Sequence, residues 1–389
     1  MTVVPARDPG SRVDRSSRSG RAWDAVLRGA QALRLLGHPV EVRDGGTARL
    51  VDPLTGSEVA IEAPPPIGPG WAAPEYAGLI AAGRLLRGDA SPVTSAEVAG
   101  GLAEGMIGGA AAELVRCADG WIVARFRDGG ERELLDRRLG TSIERGSLAE
   151  VWQAAAECRL LVAPVLRPAA IVPAPQARLP GIPGAAGRTL RVVDWTSLWA
   201  GPWACGALAA AGDTVVRIEV PSRPDGLLLT AAGRAIWERF NAGKEHLRLD
   251  ARETADRERI ASLLTSADLL IDGNTTRVLP QLGFGEAWLR ENAPRLSVLS
   301  LTAYDGQHVG LPGLGETASA AAGLLWRGAG RPATPLPWAD PLAGAALLLV
   351  VEAWRRRGSP TGARFQVSLA AAAAGAAVPS HSSRCGRAL

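Results

Sequence analysis

Asp194, Asp272, Asp305, Glu316 and Asp340 are the carboxylates that fall beside the ends of expected strands or at the starts of expected helices. They are the candidates for acid–base or covalent work, because other nucleophile patterns are missing. The chain has no G-x-S-x-G elbow and no Walker A sequence, and its four His residues show no spacing suited to a triad or a metal. Glu316 follows Gly313-Leu314-Gly315 and opens an apolar helix. Free amides and the helix dipole favour negative charge there, although an ordinary first-turn acid has the same pattern. A second feature is the lone lysine, Lys244, in a chain whose 43 basic side chains are otherwise all arginine. A compact ammonium on a flexible stem suits a phosphate contact, and equally a structural role such as pairing with Asp250 or capping a loop.

Strands and helices must position these groups. In the C-terminal half, apolar strands are expected at 190–193, 214–220, 246–249, 269–272, 296–301 and 365–369. Pro202 opens a helix running to about 211, Asp250 can cap the next, and long Ala/Leu-rich helices follow near 316–326 and 340–357. This alternation predicts an α/β fold: a doubly wound, parallel, Rossmann-like sheet with right-handed crossovers. Ligands of such sheets bind outside the carboxyl ends of the strands, which directs attention to the loops after Val193, Val220, Ile271 and Leu301. A dinucleotide is not expected. Glu219 ends the second strand as a ribose-binding acid would, but Gly201, Gly206 and Gly212 do not follow G-x-G-x-x-G, and Trp199 and Trp203 crowd the turn.

The N-terminal half predicts a smaller α+β lobe over 21–166, with helices at 23–36, 75–87 and 147–156 and strands at 121–126 and 160–165. Prolines 168, 173, 175, 180 and 183 make 167–187 a stiff linker, leaving 188–379 as the Rossmann-like sheet domain and 1–20 and 380–389 as disordered tails. The formal charge of +4 is carried by residues 1–37, where Arg7, Arg12, Arg15, Arg18, Arg21, Arg28 and Arg34 outnumber Asp8, Asp14 and Asp24. That is a basic tail, not the clustered face a nucleic acid needs. Scattered Cys117, Cys158, Cys205 and Cys385 argue against zinc or disulfides and for a reducing cytoplasm. The run 342–351 is too short to cross a membrane.

Several motifs, in order, carry a family resemblance. Leu198-Trp199-Ala200-Gly201-Pro202-Trp203-Ala204-Cys205, with Val215-Val216-Arg217-Ile218-Glu219, resembles the opening of family III CoA-transferases, the CaiB/BaiF type. Phe240-Asn241-Ala242-Gly243-Lys244 with Leu247-Arg248-Leu249-Asp250 is similar to L-N-x-G-K-x-x-x-x-L-D. Ala267-Asp268-Leu269-Leu270-Ile271-Asp272, Asn292-Ala293-Pro294-Arg295-Leu296, Ser300-Leu301-Thr302-Ala303-Tyr304 and Ala339-Asp340-Pro341-Leu342-Ala343-Gly344 resemble later motifs of the same family. Cys117-Ala118-Asp119-Gly120-Trp121-Ile122 and Ala163-Pro164-Val165 resemble pieces of its smaller domain, here ahead of the sheet half.

The resemblance implies coenzyme A, bound as acyl-CoA, with contacts at Ala200, Gly201, Pro202, Arg217, Asn241, Lys244, Arg277 and Tyr304, and no metal. It implies a carboxylic acid as acceptor, and a homodimer or a heterodimer with a paralogue. In the family an aspartate at a helix start attacks the thioester, forming an acyl-aspartyl anhydride and then an aspartyl-CoA thioester. Counting back from Gly323, that aspartate position falls on Gly315, so Glu316, one residue on, is the expected catalytic carboxylate. The shift and the extra methylene move the reactive oxygen by roughly an ångström or more. The family arginine is also displaced, with Thr275 in its place and Arg277 two residues on. The alternatives are a catalytically inactive CoA-binding subunit, or an acyl-CoA racemase or isomerase using His246 or His308.

Overall fold

A computed structural model describes residues 18–36, 38–44, 48–65, 72–104, 112–168, 188–328 and 330–377. Residues 169–187 of the expected 167–187 linker, most of the N-terminal tail and the C-terminal tail lie outside the described residues.

The first segment contains helix α1 (Arg18–Leu35), strands β1 (Glu41–Asp44), β2 (Ala48–Val51) and β3 (Glu58–Ala60), and helices α2 (Ala72–Arg87) and α3 (Ser95–Glu104). The strands form an antiparallel sheet. A methyl on Gly29 would lie 2.6 Å from the Gly78 carbonyl, so α1 and α2 cross with glycine against glycine. A second antiparallel sheet joins β4 (Glu113–Arg116), β5 (Trp121–Ala124) and β6 (Val162–Pro164), with α4 (Gly129–Leu139) and α5 (Leu148–Glu157) beside it. A capping box fixes the start of α5: Ser147 accepts from the Glu150 amide while Glu150 accepts from the Ser147 amide.

The rest is the expected alternation: β7 (Arg191–Trp195), α6 (Ala200–Ala210), β8 (Thr214–Glu219), α7 (Ala231–Asn241), β9 (Glu245–Arg248), α8 (Thr254–Ser266), β10 (Leu269–Asp272), α9 (Val278–Gln281), α10 (Glu286–Asn292), β11 (Ser297–Thr302), α11 (Gly315–Ala321), α12 (Ala339–Arg355), β12 (Arg364–Ser368) and α13 (Leu369–Ala377). All six strands pair in parallel, in the order β12-β11-β10-β7-β8-β9. Side chains alternate across the pleat. Val192, Leu269, Ile271 and Leu299 join one core with α6 and α12, while Val193, Leu270 and Val298 join another with α8 and α10. Helices therefore cover both faces, as a parallel sheet requires.

The packing divides the molecule differently from the 166/188 boundary read from the prolines. Residues of α1 and α2 share one core with α12 and the sheet, whereas β4, β5, α4 and α5 surround a core of their own. Asp250 does not cap α8. Glu253 stands at that position, and Asp250 instead pairs with Arg252 and Ser222.

Candidate active site

The sheet changes direction between β7 and β10, its central pair. Their outgoing loops diverge to opposite sides and leave a crevice, the usual ligand position in such sheets. A cleft of about 660 Å3 opens there, walled by the loops after β7, β10 and β11 and by side chains of the small lobe. Leu198 and Arg159, both lining it, hold φ of 68° and 55°, the left-handed region that L residues with side chains seldom adopt. Such strain gathers where structure serves a site.

A buried ionic brace holds the first loop. The Asp194 carboxylate accepts from Lys244 Nζ at 2.8 Å, from Thr196 Oγ1 at 2.5 Å and from Arg217 Nη1 at 3.4 Å. Arg217 also donates to Asp225 at 2.8 Å and to Glu219 at 3.1 Å, and Asp225 in turn accepts the Leu198 amide at 3.0 Å. Burial alone would raise the Asp194 carboxyl, but the Lys244 and Arg217 charges outweigh it and bring it down to about 2. Thr196 lies between two turns: a methyl on Gly201 would come within 2.5 Å of its side chain, and one on Gly273 within 3.2 Å.

Four arginines line the cleft: Arg127 and Arg159 from the small lobe, Arg223 from after β8 and Arg277 from after β10. Arg159 Nη2 donates to the Gly310 carbonyl at 3.0 Å. Burial, then the nearby Arg277 charge, pulls the Arg159 guanidinium below its ordinary range. Asp340, in the first turn of α12, lines the same cleft. Glu316, in the first turn of α11, is 5 % exposed, and its Oε1 accepts from Arg125 Nη1 at 3.2 Å. Burial raises the Glu316 carboxyl, with its own backbone amide and Arg125 opposing. Enclosure raises Asp340 well above the carboxylate range, the Glu316 charge adds to this, and Arg125 opposes.

The residues singled out by sequence reasoning therefore separate. Ala200 and Arg277 line the cleft, and Gly201 and Pro202 lie beside it in α6. Neither Lys244 nor Arg217 lines the cleft, although Arg217 lines a smaller pocket that adjoins it. The Lys244 side chain is wholly buried, and its ammonium donates to Asp194, the Pro202 carbonyl and Asn241 Oδ1, each at 2.8 Å, which uses all three protons. Arg217 is spent on three carboxylates, and Asn241 on Lys244 and the Trp237 carbonyl. Tyr304 is buried against Trp152, its ring edge-on at 6.3 Å, and is not among the lining residues. His246 approaches the Asn241 carbonyl and His308 stacks on Trp152, and neither lines the cleft. Sequence reasoning missed Arg127, Arg159 and Arg223. In a chain where arginine is the default cation, nothing local distinguishes them. Among the described residues no cluster of His, Cys, Asp or Glu could hold a metal, and no helix is long and apolar enough to cross a membrane.

The chain is similar to known proteins of one family. The sequence model of CoA-transferase family III matches residues 188–383, half of the chain. The probable fatty acyl-CoA transferase Rv3272 of Mycobacterium tuberculosis is 29% identical over 142 residues, 34% of this chain and 36% of that protein. A succinyl-CoA:mesaconate CoA-transferase of Haloarcula hispanica is 32% identical over 139 residues, 33% of each chain. The chain thus spans about a third of the length of these curated relatives. The crystal structure of the Mycobacterium tuberculosis protein aligns with a TM-score of 0.44 at 25% identity, over 50% of this chain and 57% of that one.

Proposed function

The chain belongs to CoA-transferase family III, and from that premise we propose that it moves coenzyme A between an acyl-CoA thioester and a carboxylic acid through an intermediate carried on one of its own carboxylates. The observation that carries this reading is the make-up of the cleft at the strand-order switch, where arginines meet the Asp340 carboxylate, with Glu131 at the wall paired to Arg127. Coenzyme A carries a 3′-phosphate and a pyrophosphate, and Arg159, Arg223 and Arg277 supply matching forks, while Arg127 is paired with Glu131 at the cleft wall. The resemblance assigns the reacting group to the neighbourhood of Glu316, which Asp340 shares. A carboxylate there attacks the thioester carbonyl, the C–S bond breaks, and CoA leaves as thiolate. The thiolate attacks the enzyme carbonyl of the resulting anhydride, freeing the donor acid and leaving CoA on the enzyme. The acceptor carboxylate then displaces CoA to form a second anhydride, and the thiolate collects the acceptor acyl group. Each hard step is split into easier ones. The positive end of the α12 dipole favours the developing negative charge.

The test is to incubate the protein with panels of acyl-CoA donors and carboxylic acids and to search for new acyl-CoA by liquid chromatography and mass spectrometry. The reading predicts a new thioester for at least one pair. A second reading, a non-catalytic CoA-binding subunit that works beside an active paralogue, draws on the glycine at position 315 and on the engagement of Glu316 by Arg125. Saturable CoA binding without transfer for any pair would favour it. An isomerase would incorporate deuterium from solvent at the α-carbon. His246 and His308, the candidates for that chemistry, stand outside the cleft lining.

A further inference from the structure

We infer that Asp340, not Glu316, is the carboxylate that attacks the thioester and carries the acyl group and then CoA. This rests on the transferase reading and names its reacting atom. Three observations support it. First, Asp340 lines the cleft and Glu316 does not. Second, the two carboxylates differ in their commitments. Glu316 is held by Arg125, whereas among the described residues no hydrogen bond or ion pair holds the Asp340 carboxyl. Third, the absent side chain at position 315 leaves space that Asp340 uses. A methyl on Gly315 would stand 2.2 Å from Asp340 Oδ2 and 2.8 Å from its Cγ. The carboxylate that is missing from α11 is thus replaced, in space, by one reaching across from α12.

The charges facing Asp340 are Glu316 from α11 and Arg125 from the end of β5. On the cleft side α6 and α13 contribute Ala200 and Leu369. Helix α2 also packs along α12, but its Arg87 pairs with Glu352, about three turns further on. Glu316 is therefore a positioning residue: its charge keeps Asp340 basic, and Arg125 limits that effect. In the reaction the ionised Asp340 oxygen bonds to the thioester carbon as the C–S bond breaks. The proton Asp340 carries at rest has by then left to solvent, and the electron pair departs on CoA thiolate.

The test has two arms. In the first, a water-soluble carbodiimide with glycine ethyl ester modifies the native protein at neutral pH, with and without CoA, and tryptic peptides are then mapped. Carboxyls that stay protonated and accessible react first. Asp340 lies in the peptide 328–355 and Glu316 in 296–327. The inference predicts CoA-protected labelling at Asp340. Labelling at Glu316 instead, or none at Asp340, would overturn it. In the second arm, Asp340→Asn and Glu316→Gln are assayed for CoA transfer across pH, with thermal unfolding as the folding control. Asp340→Asn should lose about a hundredfold or more in kcat. Glu316→Gln should stay within about tenfold and move the rising limb of the pH profile to lower pH, because a neighbouring negative charge has gone. Loss in Glu316→Gln with activity retained in Asp340→Asn would overturn the inference. If the wild-type protein transfers no CoA at all, the transferase reading fails, and the labelling arm still decides whether Asp340 is the reactive carboxyl.

Discussion

Lys244 shows how far a residue type alone can mislead. Its ammonium sits in a closed core pocket and donates to three acceptors, away from the cleft lining. Lys244→Ala leaves Asp194 buried beside Arg217 alone, and should cost about 3–5 kcal/mol of stability by chemical denaturation. Any effect on CoA binding should follow from loosening of the turn that Asp194 and Asp225 pin. Asp272, buried at the end of β10, makes the opposite kind of test. Burial raises its carboxyl from 3.8 to about 6, against hydrogen bonds from the Asn274 amide and side chain. The folded state therefore keeps a proton that the unfolded chain has released. The sign follows: this group's contribution is fully present below 3.8 and is lost as pH rises through about 6. Asp272→Asn should remove that dependence and gain up to about 3 kcal/mol relative to wild type at pH values well above 6. Urea unfolding at several pH values checks it, and parallel profiles for the two proteins would contradict it.

At the scale of elements, the parallel sheet was legible because its strands are short apolar runs separated by amphipathic or Ala-rich helices. Strand β10 falls on the expected residues 269–272, and the other five lie within a few residues of their expected bounds. Helix α7 and the β1–β3 sheet were not foreseen. The first has Gly233 and Arg-rich turns, and the second consists of three- and four-residue strands with charged exposed positions, too short for a period to register. The cleft was legible only as a set of loops. Its arginines come from two lobes, and sequence separation hides that convergence. Helices α6 and α7 meet where a methyl on Gly206 would come within 2.4 Å of the Phe240 carbonyl. Gly206→Ala should therefore cost about 1–3 kcal/mol, read as a lowered unfolding midpoint. Arg277 is exposed at the start of α9 and lines the cleft. Arg277→Ala should raise the Kd for CoA about tenfold, measured by calorimetry, with little change in thermal stability. Its effect should shrink at high salt.

At the scale of the molecule, one core ties the N-terminal helices to the sheet half, and a small lobe with its own core stands over the switch point. Two of the cleft's four arginines belong to that lobe, and Arg125 of the same lobe reaches Glu316. The lobe thus brings two arginines to the cleft wall and, through Arg125, a positive charge beside Glu316. The account's central claim is covalent: CoA rests on a side-chain carboxylate during turnover. The most direct measurement is to quench a reacting mixture of enzyme and acyl-CoA, reduce any enzyme-bound thioester with borohydride to an alcohol, and sequence the tryptic peptides by mass spectrometry. The account predicts conversion of Asp340 within 328–355, dependent on acyl-CoA. Transfer that proceeds with no converted carboxylate, or with conversion at Glu316, would contradict it.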